Sequence, residues 1–169
     1  LSSEKKPKLI YLIPNFQNPT GLTYTKENRD LVFDVIKDED MILIQDDPYG
    51  ELRFNNEERI PYIGLNKTDK NIYLGSFSKI ITPGMRLGYV IAHSEIIKKL
   101  ETAKQASDLH SNIFAQYLIS DYLYNNDLDK HIDKIKKLYK EQASAMIGAM
   151  EKYFPKNIKF TYPKGGMFT

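Results

Sequence analysis

The sequence contains no cysteine, which excludes disulfides and thiolate metal ligands and fits a reducing compartment such as the cytoplasm. The formal net charge of the 169 residues is only +2, so the chain lacks the basic excess that marks a nucleic-acid-binding surface. Its longest apolar runs, such as 9–13, are far shorter than the roughly 20 residues that a membrane-spanning helix needs. We therefore expect a cytoplasmic globular protein that binds neither nucleic acid nor a membrane through this segment.

Continuous apolar runs, each followed by a polar turn, indicate the fold. The runs 9–13, 41–44 and 72–74 have the composition of buried strands. Thr25 is a suitable N-cap for a helix between the first two runs. The apolar residues that share one face of that helix are Leu31, Val32, Val35 and Ile36. Strands that are apolar throughout and alternate with helices predict an α/β fold, in which a mostly parallel sheet is covered by helices on both faces.

The second half of the chain is predominantly helical. The run 87–91 predicts a strand that pairs antiparallel, because little sequence separates it from the run before it. Helical patterns follow at about 94–105, capped by Ser94, at 112–125 and at 128–153, and 158–161 predicts another strand after Pro155. The side chains predicted to be buried are Ile96, Ile97 and Leu100 in the first helix, Phe114, Tyr117, Leu118 and Leu123 in the second, and Ile132, Ile135, Tyr139, Met146, Met150 and Tyr153 in the third.

The most informative stretch is Gly75-Ser76-Phe77-Ser78-Lys79, with Arg86 following seven positions after the lysine. A lysine at the end of a buried strand is shielded from water, and burial disfavours its charged form. A neutral lysine attacks a carbonyl carbon to form a Schiff base. The hydroxyls of Ser76 and Ser78 and the guanidinium of Arg86 suit an anion such as a phosphate. An aldehyde that carries a phosphate meets both requirements, and pyridoxal 5′-phosphate is such an aldehyde.

Three further polar residues follow predicted strands and suit the same cofactor. In open α/β sheets, ligands bind at the carboxyl ends of the strands. The carboxylate of Asp46 would favour a protonated ring nitrogen, and Asn18 and Tyr49 can donate hydrogen bonds to the ring oxygen. Once released by an amino substrate, Lys79 is placed to act as a general base. Singly, Asn18 also suits a turn, Asp46 a strand-end cap, Tyr49 a packing role and Arg86 the surface, but one cofactor site explains them together.

On these motifs the chain resembles the class I/II aminotransferases, which are fold-type I pyridoxal-phosphate enzymes. The matching motifs are Asn18-Pro19-Thr20-Gly21, Asp46-Asp47-Pro48-Tyr49, Ser76-Phe77-Ser78-Lys79 and Arg86, and Pro14-Asn15-Phe16-Gln17 resembles the branch of aminoadipate, kynurenine and aromatic aminotransferases. The resemblance implies that Lys79 is the catalytic residue and the covalent cofactor attachment. It implies that Asp46 pairs with the ring nitrogen, that Asn18 and Tyr49 bind the ring oxygen, and that Ser76, Ser78 and Arg86 bind the phosphate. It also implies a cis Asn18–Pro19 peptide bond.

The same resemblance implies the domain organisation. Residues 1–127 would form part of the large cofactor-binding domain, 128–154 a long interdomain helix, and 155–169 the start of a small α/β domain. The family's N-terminal segment and most of its C-terminal domain would lie outside this chain, so we expect the 169 residues alone to be inactive or nearly so. The full-length protein is then expected to be a homodimer that transfers an amino group between an amino acid and a 2-oxo acid.

Three alternatives stay open at this point. The first is another enzyme of the same fold, such as a β-lyase or cyclase, since fold and cofactor motifs do not fix the reaction. The second is an effector-sensing domain fused to a winged-helix DNA-binding domain, which a basic helix-turn-helix before Leu1 would favour. The third is a purely structural α/β domain, which would require Lys79 to carry no cofactor in the full-length protein.

Overall fold

The computed structural model describes residues 7–55 and 68–169, so residues 1–6 and 56–67 of the predicted large domain lie outside the described residues. Four strands, four α-helices and one short 3-10 turn are described within these ranges. In chain order they are β1 (Leu9–Leu12), α1 (Lys26–Ile36), β2 (Ile42–Asp46), β3 (Asn71–Ser76), the 3-10 turn (Pro83–Met85), β4 (Gly88–Ala92), α2 (Ser94–Ser107), α3 (Ile113–Asn125) and α4 (Leu128–Tyr153).

The strands form one mixed sheet in the order β1-β2-β3-β4. The first three strands are parallel, with Tyr11 opposite Ile44 and Asp46 opposite Leu74. The fourth is antiparallel to β3, which places Gly88 opposite Ser76. The predicted α/β fold, with its mostly parallel sheet and antiparallel fourth strand, is therefore confirmed.

Helix α1 covers one face of β1 and β2. Its N-cap is Thr25, as predicted, and the Thr25 side chain accepts a hydrogen bond from the Asn28 backbone nitrogen. A core cluster of Ile36, Met41 and Leu43 joins the helix to the strands, and the side chains packed against it are Ile10, Leu12, Val32 and Phe33. The prediction was wrong for Leu31 and Val35, which are exposed because the buried face of the helix is centred on Val32, Phe33 and Ile36.

The turn that follows β3 is anchored by the two later helices. One cluster joins Ile80 and Leu52 to Ile132 of α4. A second joins Leu87 to Ala115 and Ile119 of α3. Phe77 and Ile81 pack against both clusters, so the chain on either side of Lys79 is held by apolar contacts.

Several predicted details of the second half are wrong. In α3 the small Ala115 and Ile119 face the core, and all four side chains predicted for that role are exposed. Residues 88–91 of β4 are exposed as well. In α2 the N-cap is His93 instead of Ser94, and Leu100 is exposed. Helix α4 matches its predicted range, with Ile132 buried, but Met146 and Tyr153 are exposed.

The segment after α4 does not form the strand predicted at 158–161. A strand needs a partner for its backbone hydrogen bonds, and the pairing described in this region is a single antiparallel bridge between Arg53 and Gly165. Two backbone bonds flank that bridge, from Phe54 N to Lys164 O at 2.9 Å and from Gly166 N to Leu52 O at 2.9 Å. The end of the chain is thereby tied to the segment that follows β2.

No helix within 7–55 or 68–169 combines the length and the apolar character needed to cross a membrane.

Two leucines test this packing: Leu43 of β2, which packs against α1, and Leu31 on the exposed side of α1. Leu43 is 1% exposed and Leu31 is 63% exposed. Leu43→Ala should lower the free energy of unfolding of the full-length protein by about 2 to 5 kcal/mol, because it removes buried methyl groups and leaves a cavity. Leu31→Ala, the same substitution at an exposed position, should change it by less than about 0.5 kcal/mol. Urea unfolding of both variants measures the difference, and equal losses would contradict the packing of α1 described above.

Candidate active site

Three chain segments that carry predicted site residues meet at one edge of the sheet. Because β1, β2 and β3 are parallel, their carboxyl ends lie on the same side. Asp46 is the last residue of β2 and Ser76 the last residue of β3, and the loop that contains Asn18 follows β1. The parallel pairing therefore brings these three parts of the predicted site together.

The Asn18 loop is fixed by a buried arginine that the sequence analysis missed. Arg29 of α1 is 3% exposed. Its Nη2 donates to Pro14 O at 3.1 Å and to Asn15 Oδ1 at 2.7 Å, and its Nε donates to Tyr24 O at 3.2 Å. The loop is also closed on itself, since Tyr24 N donates to Pro14 O at 2.9 Å. Within it the Asn18–Pro19 peptide bond is cis, as the resemblance predicted, and Asn18 itself is exposed.

The end of the chain packs against the same loop. Phe16 is buried, its ring lies 5.0 Å from the guanidinium of Arg53, and its other contacts include Gly165 and Gly166. Gly21 has a φ of +67°, and a Cβ at that position would lie 2.5 Å from Phe168 O. Only glycine fits such a close approach in the left-handed region. The loop is thus held between α1 and the chain end.

Asp46 has a hydrogen-bond partner on the neighbouring strand. The hydroxyl of Tyr11 donates to Asp46 Oδ2. Tyr11 lies opposite Ile44, two residues before Asp46, so the two side chains share one face of the sheet. Burial of the hydroxyl, followed by the hydrogen bond to Asp46, raises the pKa of Tyr11 to about 12. The phenol therefore stays protonated at neutral pH and remains a hydrogen-bond donor to the carboxylate.

Lys79 and Tyr49 lie close together beside the end of the chain. Lys79 Nζ is 5.9 Å from the centroid of the Tyr49 ring, and this ring meets Phe168 edge-on with centroids 5.4 Å apart. Tyr49 is buried, whereas Lys79 is half-buried, so the shielding expected for the lysine is partial. In the ranges that the structure describes, Lys79 forms no ion pair with an acidic side chain. Its amino group is accordingly available to a ligand.

The predicted phosphate-binding residues lie on adjacent turns. Ser78 N donates to Ser76 Oγ at 3.1 Å, which begins a tight turn after β3. Phe77 N donates to Leu87 O at 3.2 Å and brings the residue after Arg86 beside that turn. Arg86 has a φ of 54° and is exposed, and its Nη1 donates to Pro83 O at 3.4 Å. The turn that carries the two half-buried serines and the backbone next to Arg86 are therefore adjacent.

The donor set suits a phosphorylated pyridine aldehyde. It offers a primary amine that forms no ion pair with any residue the structure describes, hydroxyls and a guanidinium for a phosphate, and a carboxylate that Tyr11 contacts through Oδ2. Within 7–55 and 68–169 there is no group of three acidic or histidine side chains arranged to hold a metal ion. The described residues form an α/β fold with Asp46, Ser76 and the loop that contains Asn18 at the carboxyl ends of its parallel strands.

Comparison with known proteins gives the family. The model of the aminotransferase class I and II family matches residues 1–169, so the chain belongs to that family. The chain is 43% identical over 164 residues to an aromatic-amino-acid aminotransferase of Thermococcus litoralis, a match that covers 97% of this chain and 39% of the relative. It is 36% identical to a 2-aminoadipate transaminase of Thermus thermophilus, in a match that covers 97% of this chain and 42% of that relative.

Solved structures agree with the sequence relatives. A Pyrococcus horikoshii kynurenine aminotransferase, crystallised with PMP and its substrates and products, superposes with a TM-score of 0.91 at 41% identity and covers 96% of this chain and 40% of that one. A transcriptional regulator of the helix-turn-helix type from Bacillus subtilis is more distant, at 29% identity. That match covers 99% of this chain and 35% of the regulator. The predicted branch of aminoadipate, kynurenine and aromatic aminotransferases is confirmed, and the chain spans about two fifths of the length of these relatives.

The role of Arg29 is tested by Arg29→Met, which keeps an apolar side chain of similar length but removes the donors. Asn15 Oδ1 is a buried acceptor that would lose its donor, at a cost of about 1 to 3 kcal/mol, whereas Pro14 O would keep the bond from Tyr24 N. We expect the free energy of unfolding to fall by at least that amount and the amides of 15–24 to exchange faster with solvent, as hydrogen exchange would show. Lys26→Met is the matched control, because Lys26 is exposed on the same helix. Unchanged exchange in the loop would show that Arg29 does not hold it.

Proposed function

We propose that the full-length protein is a pyridoxal-phosphate-dependent aminotransferase that moves an amino group from an amino acid to a 2-oxo acid. Family membership and the lysine-centred edge of the sheet support this proposal, and the single observation that carries it is Lys79 beside Tyr49 without an ion pair among the described residues. The relatives' names favour aromatic, kynurenine-like or aminoadipate-like amino donors. A cytoplasmic homodimer is part of the same proposal.

When bound, pyridoxal phosphate supplies an aldehyde that accepts the amino group and a ring that withdraws electrons from the substrate α-carbon. Lys79 would bind the aldehyde through Nζ and then carry the α-proton of the substrate on that atom. Asp46 would hold a proton on the ring nitrogen by its charge. Asn18 and Tyr49 would bind the ring oxygen, and Ser76, Ser78 and Arg86 would bind the phosphate. The segments 128–154 and 155–169 stay assigned to an interdomain helix and the start of a small domain.

The alternatives are not favoured, because the relatives compared at 36% identity or more are aminotransferases, and the regulator is more distant. A β-lyase of the same fold would release a different product from the amino acid. The measurement that separates it from a transaminase is the detection of a 2-oxo acid together with amination of a second 2-oxo acid.

The assignment of Lys79 is tested on the full-length protein mixed with pyridoxal phosphate. We expect an absorbance band from the bound cofactor that an amino acid bleaches, and we expect Lys79→Ala to abolish both the band and the bleaching, because no other amine is proposed to reach the aldehyde. Lys98→Ala, an exposed lysine of α2, is the control and should behave like the wild type. A band that no amino acid bleaches would favour the effector-sensing alternative, and no band in either protein would refute the site.

Arg86 is tested by comparing two ligands that differ only in the phosphate. Arg86→Met should weaken binding of pyridoxal phosphate about 10- to 150-fold, which corresponds to the loss of a hydrogen bond between charged groups worth about 1.5 to 3 kcal/mol. Binding of pyridoxal, which has no phosphate, should be unchanged. Equilibrium dialysis gives both constants, and equal weakening for the two ligands would assign Arg86 a structural role instead.

A further inference from the structure

A tyrosine outside all of the matched motifs contacts the proposed ring-nitrogen partner. The parallel pairing of β1 with β2 sets Tyr11 opposite Ile44, and the alternation of side chains along a strand turns Asp46 to the same face. The hydroxyl of Tyr11 donates a hydrogen bond to Oδ2 of Asp46 on the neighbouring strand. No chain turn or loop contributes to this contact, so its geometry is fixed by the regular part of the sheet.

The hydrogen bond differentiates the two oxygens of the carboxylate. A free carboxylate rotates about its last side-chain bond and can present either oxygen to a ligand. With Oδ2 accepting from Tyr11, the orientation of Asp46 is restricted and Oδ1 remains as the second acceptor. A donor that is itself uncharged restricts the rotation without neutralising the carboxylate by an ion pair.

We propose that Tyr11 is a positioning residue that holds Asp46 Oδ2 and reserves Oδ1 for the protonated ring nitrogen of the cofactor. This inference rests on the proposed function, because it concerns the partner of that nitrogen. Tyr11 acts through Asp46 and is not itself assigned a contact with the cofactor or the substrate.

The surroundings of Tyr11 distinguish this role from a purely structural one. Its side chain is half-exposed and does not belong to the cluster that joins α1 to β1 and β2. Because the Tyr11 side chain is half-exposed and lies outside that cluster, Tyr11→Phe should keep the fold while losing the directed bond to Asp46. The elevated pKa of Tyr11, caused first by burial and then by Asp46, supports a phenol that remains a donor at neutral pH.

The test uses the full-length protein and two cofactors, pyridoxal phosphate and its deaza analogue, in which carbon replaces the ring nitrogen. Equilibrium dialysis gives the dissociation constant of each with the wild type and with Tyr11→Phe. We expect Tyr11→Phe to weaken binding of pyridoxal phosphate about fivefold, the loss expected for one hydrogen bond of about 1 kcal/mol. Binding of the deaza analogue should be unchanged, because it presents no ring N–H to Asp46.

Tyr162→Phe is the matched control. It also removes a phenol–carboxylate hydrogen bond, from the Tyr162 hydroxyl to Glu151 Oε1 at 3.0 Å, but at an exposed position near the end of α4. It should leave both dissociation constants unchanged. The unfolding midpoint of each variant without cofactor serves as the check that the fold is intact.

The possible outcomes separate the inference from the proposed function. Selective weakening for pyridoxal phosphate supports the positioning role. Equal weakening for both cofactors, or none for either, overturns it while leaving the proposed function in place. Failure of the wild type to bind pyridoxal phosphate at all overturns the proposed function, and the inference with it.

Discussion

The parallel hydrogen-bonded pairing of β1, β2 and β3 determines which side chains meet at the edge of the sheet. Side chains at the ends of separate strands become neighbours only if the strands run in the same direction and in one register. With Asp46 opposite Leu74 and Tyr11 opposite Ile44, the ends of β2 and β3 and the loop after β1 share one edge. A shift of one residue in the pairing of β1 with β2 would turn Asp46 to the face opposite Tyr11. The sheet register, more than any single side chain, therefore determines which residues meet at the candidate site.

The loops at this edge are held by the domain's own core and by its chain end. Phe77 and Ile81 anchor the turn that carries Lys79 to α3 and α4, and Arg29 anchors the Asn18 loop to α1. The two loops are held by different kinds of interaction. Apolar burial fixes the lysine turn without directional bonds, whereas the Asn18 loop needs donors for its buried carbonyl oxygens. Apart from the buried Tyr49, the candidate site side chains are half-buried or exposed, as groups on a rigid scaffold must be if they are to meet a ligand.

The sequence predicted the parallel strands with an antiparallel fourth, the cap at Thr25 and the extent of α4, and the family resemblance implied the cis Asn18–Pro19 bond. It did not identify Tyr11, because only the pairing register reveals that this strand residue faces Asp46. Arg29 could have been predicted from its spacing, because it lies three positions before Val32 and seven before Ile36, on the buried face of α1.

The prediction for α3 was wrong for a different reason. Periodicity favoured the large apolar residues there, but the close approach to Leu87 selects the small Ala115 and the Ile119 that follows it one turn later.

The proposed role of Lys79 is the covalent attachment of pyridoxal phosphate in the full-length protein. The most direct measurement is reduction of the protein–cofactor mixture with borohydride, followed by mass mapping of the peptides. We expect a phosphopyridoxyl group on Lys79 and on none of the exposed lysines of α4, such as Lys130 or Lys137. Labelling of another lysine, or labelling spread evenly over the chain, would contradict it.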